Sequence, residues 1–127
     1  AETHFFCDAP IGASPVEAGG RTVDPVQGMP SRTEFRVREH LADGTTLLEA
    51  MPQTGRTNQI RVHLWHMGMP IFGDPLYQPD QQLSSRQTLS VEDPPLCLHA
   101  WKLAFHHPLT HQRIAFETAV PSWAELK

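Results

Sequence analysis

The sequence has few cysteines and no long apolar run. Cys7 and Cys97 are the two cysteines, and they are too few and too far apart to indicate a disulfide framework or a zinc-binding knuckle. No segment approaches the roughly 18 apolar residues of a membrane-spanning helix. The sequence also does not start with the basic and then apolar pattern of a signal peptide. These absences favour a reduced, cytoplasmic setting without a membrane partner.

Basic residues are scarce as well. The chain of 127 residues has 10 Lys and Arg against 14 Asp and Glu, a formal net charge of −4. Proteins that bind nucleic acid without specificity usually carry a surplus of Lys and Arg, so any contact with nucleic acid is expected to be local. With 39% hydrophobic and 19% charged residues, the chain is able to bury a core and has about the length of one domain.

The most informative segment is TGRTNQIRVHL, residues 54–64. Thr57 is placed to cap a helix that runs to about Gly68. Arg56 lies just before this cap and Arg61 lies one turn inside the helix. Because the first amides of a helix are unpaired and partially positive, and because guanidinium groups bind oxyanions in a forked geometry, this arrangement favours an anion.

Local patterns predict a mixed α+β architecture. Gly and Pro are frequent in residues 1–31, which predicts an irregular segment. Apolar residues alternate from Thr33 to Val37, and a second strand is predicted from Thr45 to Met51, with the turn at Asp43 and Gly44. The helix is predicted to bury the face that carries Ile60, Leu64 and Met67.

The rest of the chain is predicted to hold one more strand pair. Residues 69–77 suggest a buried extended run, whereas the polar residues 78–95 suggest a variable loop. Strands are predicted within 96–105 and 112–118. Antiparallel hairpins around one helix therefore describe the expected fold.

Several motifs in order carry a family resemblance. Residues 54–64 are followed by Gly-Asp-Pro-Leu-Tyr at 73–77, by Leu-His-Ala at 98–100 and by His-Pro at 107–108. Together they resemble the C-terminal half of the catalytic domain in pseudouridine synthases of the RluA, RluC and RluD type. The resemblance covers nearly all of residues 1–127. It implies a partial α+β catalytic domain with a mainly antiparallel sheet.

The resemblance also implies a reaction and a set of site residues. Members of this family isomerise uridine to pseudouridine in structured RNA, ribosomal or transfer RNA, without a cofactor or a metal. An aspartate attacks the nucleotide, and the residue that matches Arg61 pairs with this aspartate. The substrate-facing wall would be formed by residues that match Arg56, Asn58, Gln59, Ile60 and Leu64.

The sequence departs from the family pattern at the nucleophile. The family carries its aspartate in a His-Arg-Leu-Asp string, and its base-stacking tyrosine in a Lys-x-Tyr element; neither string occurs here. The single tyrosine is Tyr77, in a motif that the resemblance marks as structural. We therefore expect a fragment that lacks the N-terminal half of its domain, is inactive alone, and exposes a sheet edge through which it could self-associate.

Other interpretations stay open on the sequence alone. The chain could be a noncatalytic RNA-binding or interaction module of the same ancestry. His63 and His66 are three positions apart on a helix, a spacing that also suits a small metal protein. Arg56 and Arg61 could be an ordinary ion-paired helix start. Should the fragment interpretation fail, Asp74 is the first aspartate to consider as a catalytic group.

Overall fold

The structure is a computed structural model of the chain. It describes residues 3–13, 21–79, 82–83, 96–100, 102–106, 108–119 and 121, without the side chains of residue 82 and residues 103–106. The chain divides into two compact units, Ala1–Leu96 and Cys97–Lys127. The described elements are, in chain order, β1 (His4–Cys7), β2 (Ile11–Ala13), β3 (Arg21–Val23), β4 (Thr33–His40), β5 (Thr46–Pro52), α1 (Gln59–His66), β6 (Tyr77–Gln78), β7 (Gln82–Leu83), β8 (Lys102–His106) and β9 (Arg113–Glu117).

The first unit contains a three-stranded antiparallel sheet in which β4 lies between β1 and β5. The predicted hairpin of β4 and β5 is confirmed. Thr33 and Phe35 are fully buried, as the alternation requires. The turn depends on Gly44, whose φ of +89° suits glycine, and on Asp43, whose carboxylate accepts the Thr45 N–H at 2.9 Å.

The prediction of an irregular segment over residues 1–31 is wrong, because three short strands lie within it. β2 pairs with β3, and the Ile11 N–H donates to the Met29 carbonyl at 3.0 Å while the Met29 N–H donates to Ile11 at 2.8 Å. Strands of three or four residues are too short to show a period against a background of Gly and Pro. β1 forms by pairing with the distant strand β4, whereas β2 and β3 pair with each other.

Helix α1 begins one residue later than predicted, and Thr57 does not cap it. Asn58 occupies the N-cap in the left-handed conformation, with φ of 58° and no side-chain cap bond. Asparagine tolerates this conformation better than most residues. The predicted end is confirmed, because Gly68 has φ of +79° and donates its N–H to the Trp65 carbonyl at 3.0 Å.

Helix α1 is buried between two apolar clusters. Val62 and Trp65 join the first cluster, whose other members are Ile11, Leu76 and Tyr77. On the other side Leu64 joins the second cluster with Cys7 and Phe35, against which Ile60 also packs. The predicted burial is confirmed for Leu64, whereas Ile60 is partly buried and Met67 is 37% exposed at the helix end.

Three predictions for the later part of the chain have different outcomes. No strand forms between residues 69 and 76, which instead contain turns around Gly73. The short hairpin of β6 and β7 occupies part of the predicted 78–95 loop, and residues 84–95 lie outside the described chain. The strand pair predicted near the end is confirmed as β8 and β9, but β8 begins only at Lys102 and residues 96–100 form no strand. Phe116 of β9 is 57% exposed, and self-association through an exposed sheet edge stays a prediction.

Candidate active-site wall around Arg61

Arg61 is held by a forked ion pair with Asp74. The Arg61 Nε donates to Asp74 Oδ2 and the Nη2 donates to Oδ1, each at 2.8 Å. The Asp74 side chain has no solvent exposure and that of Arg61 has 14%. Two parallel charge-assisted bonds between planar groups fix direction as well as distance. The guanidinium of Arg61 is therefore held in one orientation before any ligand arrives.

Asp74 is itself fixed by the turn that follows it. Its Oδ1 accepts the N–H groups of Leu76 at 2.9 Å and Tyr77 at 3.1 Å. This is the hydrogen-bonding pattern of an Asx turn, in which an aspartate binds the backbone two and three residues later. The Gly-Asp-Pro-Leu-Tyr motif thus builds a rigid carboxylate acceptor.

Tyr77 and Asn58 support the same guanidinium from other directions. The guanidinium carbon of Arg61 lies 5.1 Å from the centre of the Tyr77 ring, a cation–π distance. The Tyr77 hydroxyl donates to the Arg21 carbonyl at 2.7 Å and accepts the Asn58 Nδ2 at 3.4 Å. Asn58 Oδ1 in turn accepts the Arg61 Nη1 at 3.3 Å. The left-handed N-cap therefore places Asn58 between arginine and tyrosine.

Arg61 remains charged and keeps donors for another partner. The hydrogen bond to Asp74 raises the pKa of Arg61, against a smaller opposite effect of burial. Its bonds in the described chain use the Nε–H, one N–H of Nη2 and one N–H of Nη1. A guanidinium has two N–H bonds on each Nη. One N–H on each Nη thus remains for an oxyanion.

Gln59 lies at the centre of a buried polar network and is only 4% exposed. Its Oε1 accepts the Thr54 hydroxyl at 2.6 Å and the Arg56 N–H at 3.1 Å. Its Nε2 donates to the Arg32 carbonyl and to Thr33 Oγ1, both at 2.9 Å. In this structure the Gln59 amide therefore joins the start of α1 to the start of β4.

Arg56 lies apart from the Arg61 cluster. Its Nε donates to the Pro30 carbonyl at 3.0 Å, and no carboxylate within residues 21–79 forms an ion pair with it. Pro30 also lines an open groove of about 370 Å³, together with Asp8, Pro10, Gly28, Ser31, Arg32 and Thr54. Arg32 lies in this groove, 4.1 Å from the centre of the Phe6 ring. Arg56 is thus placed beside an open groove with a mainly apolar surface.

The structure brings together only some of the predicted site residues. Arg61 and Asn58 share one cluster, Arg56 lies near the groove, and Gln59 connects two elements. Ile60 and Leu64 pack in the second apolar cluster. The contacts of Asp74 and the Tyr77 ring with Arg61 were not predicted. An aspartate in a Gly-Asp-Pro turn, followed by a tyrosine, was the available signal, but nothing local indicated which cation it binds.

His63 is buried and bonded at both ring nitrogens. Nε2 lies 2.8 Å from the Ala9 carbonyl, and Nδ1 lies 2.8 Å from Thr33 Oγ1. Because a carbonyl only accepts, Nε2 carries the proton and Nδ1 accepts the Thr33 hydroxyl. Neither nitrogen is then directed at a metal. Among the described residues, no group of three His, Cys, Asp or Glu side chains is placed to hold a metal ion.

His63 also predicts how stability depends on pH. Burial lowers its pKa below the ordinary value of 6.5, and nearby His66 contributes, while Ala9 and Asp8 oppose the shift. The unfolded chain therefore binds more protons than the folded chain as pH falls through about 6.5. We expect the free energy of unfolding to decrease on acidification through this range. Urea unfolding at pH 7.5, 6.5 and 5.5 measures it.

Substitution of the histidine tests the assignment. His63→Gln is expected to remove most of the pH dependence between these values, whereas the matched change at exposed His40 is expected to keep it. If the free energy of unfolding changes equally with pH in the original chain and in His63→Gln, another titrating group causes the pH dependence.

The amino-acid sequence matches known RNA-modifying proteins along most of its length. It is 42% identical over 115 residues to ribosomal large subunit pseudouridine synthase D of Nitrosomonas europaea, covering 90% of this chain and 33% of that protein. It is 40% identical over 90 residues to the dual-specificity RNA pseudouridine synthase RluA of Pasteurella multocida, covering 71% of this chain and 38% of that protein. The chain is thus similar to one part of the RluA-type pseudouridine synthases.

Other comparisons define the extent of this family relationship. An uncharacterized RNA pseudouridine synthase of Bacillus subtilis, YlyB, is 40% identical over 114 residues, covering 90% of this chain and 34% of that protein. No protein-family model matches the chain. The chain thus spans about a third of the length of these curated pseudouridine synthase relatives. In the part of the chain that the structure describes, no helix is both long and apolar enough to cross a membrane.

Proposed function

We propose that this chain is part of an RNA pseudouridine synthase that isomerises uridine in structured RNA. The observation that carries the proposal is Arg61, a charged and immobilised guanidinium with one N–H left on each Nη. A carboxylate removed from water needs such a partner to remain ionised. Arg61 is then the partner of an aspartate supplied by a segment outside these residues. The relatives named above, enzymes acting on ribosomal or other RNA, support the same substrate class.

The proposal assigns different tasks to the other predicted residues. Arg56 contacts an RNA phosphate beside the groove, since it has no carboxylate partner within residues 21–79. Asn58 orients Arg61, and Gln59 fixes the turn that presents both arginines. Ile60 and Leu64 anchor the helix in the second apolar cluster. No metal or organic cofactor is assigned to the reaction.

Catalysis requires the missing nucleophile, so the isolated chain should be inactive. The sequence has no His-Arg-Leu-Asp string, and Asp74, the aspartate bound to Arg61, already accepts four hydrogen bonds. A noncatalytic RNA-binding module is the second candidate, and the absent string is the observation that favours it. Both candidates predict RNA contact, but only the first predicts turnover once the nucleophile is supplied.

The test compares two proteins on the same RNA. We expect no pseudouridine from residues 1–127 alone, and turnover from a longer protein that contains this chain and the nucleophile segment. The measurement is release of tritium from uracil C5 of a labelled ribosomal or transfer RNA transcript, because C5 loses its hydrogen when it becomes bonded to ribose. RNA binding without tritium release by both proteins would favour the noncatalytic module. Tritium release by residues 1–127 alone would contradict the assignment of an external nucleophile.

A further inference from the structure

We propose that Asp74 is a positioning residue that makes Arg61 a bridge between two carboxylates, Asp74 on one edge and the catalytic aspartate on the other. This inference rests on the proposed function. It assigns Asp74 no contact with RNA and no chemical step. Its task is to direct the remaining Arg61 N–H groups toward the nucleophile.

The burial of Asp74, together with its hydrogen bonds, argues against Asp74 as the nucleophile. Oδ1 accepts from Arg61 Nη2 and from the backbone N–H groups of Leu76 and Tyr77, and Oδ2 accepts from Arg61 Nε. The side chain has no solvent exposure. A nucleophilic carboxylate must present a free lone pair to its target. Because the side chain is fully removed from solvent, Oδ2 could reach a nucleotide only if the Arg61 pair and the turn opened, whereas as a fixed acceptor Asp74 needs no rearrangement.

The geometry of Arg61 leaves the opposite edge for the second carboxylate. Asp74 binds the edge formed by Nε and Nη2, and the Tyr77 ring lies 5.1 Å from the guanidinium carbon. Asn58 accepts one N–H of Nη1. The remaining N–H on each Nη can donate to a second carboxylate. Such a bridge requires a planar guanidinium, because the ammonium of lysine is a point charge without this fork.

The charge of the cluster supports the same assignment. Arg61 and Asp74 together are close to neutral, and both are largely removed from water. Without Asp74, burying Arg61 would leave an unpaired charge until the nucleophile arrived. With Asp74 in place, the arginine is oriented independently of the second carboxylate. Preorganisation of this kind avoids reorganisation during the reaction.

The main test is Asp74→Asn in the longer active protein. Asparagine keeps the Oδ1 acceptor for Leu76 and Tyr77, so the turn is preserved, but it loses the charge and the acceptor for Arg61 Nε. We expect kcat to fall on the order of 10²-fold, the size of effect that misplacing a catalytic group can produce. The KM for RNA should change less than about threefold, because no RNA contact is removed.

Asp24 provides a matched control. It forms the same kind of turn, with Oδ1 accepting the N–H groups of Val26 and Gln27, both at 3.0 Å, but the described structure gives it no arginine partner. Asp24→Asn is expected to leave kcat within about twofold. Equal losses of kcat for both variants, or full activity of Asp74→Asn, would overturn the inference.

A second variant covers the case in which Asp74→Asn folds poorly. Arg61→Lys keeps a cation beside Asp74 but cannot bind two carboxylates in forked geometry. We expect its kcat to fall as far as that of Asp74→Asn, with unchanged KM. Retention of more than about half of the original kcat by Arg61→Lys would contradict the bridge.

A spectroscopic measurement separates this inference from the proposed function. In the longer protein, the NMR resonance of the Arg61 Nε–H should be protected from solvent exchange, and Asp74→Asn should abolish that protection while Asp24→Asn retains it. If the unsubstituted protein makes no pseudouridine, the proposed function fails, whatever the NMR result. If it is active and the resonance of Asp74→Asn remains protected, only the assignment of Asp74 fails.

Discussion

Arg61→Ala is expected to abolish uridine isomerisation in a longer protein that supplies the nucleophile, with kcat falling about 10³-fold or more. Removing one preorganised donor in other enzymes already costs 10²- to 10³-fold, and this substitution removes the whole guanidinium. It also leaves the buried carboxylate of Asp74 without its partner. The nucleophile would then lose the group that keeps it ionised. Single-turnover tritium release at saturating protein measures the chemical step directly.

Arg56→Ala is the matched comparison, because it removes the other arginine of the same motif. Its only side-chain bond in the described chain is to the Pro30 carbonyl. We expect weaker RNA binding. The slope of the logarithm of the binding constant against the logarithm of the salt concentration should be smaller by about one, as for the loss of one phosphate contact. The rate at saturating protein should change little. Mild and equal effects of Arg56→Ala and Arg61→Ala would show that the catalytic wall lies elsewhere.

Gln59→Leu is expected to destabilise the chain by about 3 kcal/mol, the upper range for leaving buried polar groups unpaired. Leucine has a similar volume but neither donor nor acceptor. The substitution removes hydrogen bonds to Thr54, Arg56, Arg32 and Thr33 together. The effect should appear as a lower free energy of unfolding in urea, for the first unit of the chain.

Gln53→Leu is the control for this prediction. Gln53 is exposed and lies directly after β5, at the start of the segment that leads to α1. It should shift the free energy of unfolding by less than about 0.5 kcal/mol, as surface changes usually do. If Gln59→Leu is as stable as Gln53→Leu and instead weakens only RNA binding, Gln59 is a substrate contact and the buried network contributes little.

The sequence predicted those elements whose information is local. The alternation around Phe35, the Asp43 and Gly44 turn, and the glycine end of α1 all appear in the structure. Strands β1, β2 and β3 were missed because each has only three or four residues, too few to show a period, and β1 in addition pairs with the distant strand β4. The helix start was misplaced by one residue because Thr57 and Asn58 are both preferred N-cap types, and Asn58 takes the N-cap while its side chain bonds to Tyr77 and to Arg61.

The candidate site, too, was predicted only where the information is local. A motif indicated two arginines at the start of a helix, and the structure places both there. The motif did not indicate that Asp74, 13 residues beyond Arg61, would bind it, because the pairing depends on how the intervening chain turns. The buried position of Gln59 could not be predicted either, since its partners Arg32 and Thr33 lie at the start of the distant strand β4. Residue types were predictable, whereas the choice of partners required tertiary structure.

Helix α1 has a consequence for attempts to isolate or transplant the motif. It contains eight residues, and helices shorter than about 12 to 15 residues are marginal in water on their own. Its geometry depends on Ala9 bound to His63 and on Arg32 bound to Gln59. A synthetic peptide of residues 54–68 would therefore be largely unstructured, and a graft would need the strands that flank the helix. The chemistry of this short motif belongs to the folded domain and not to the peptide.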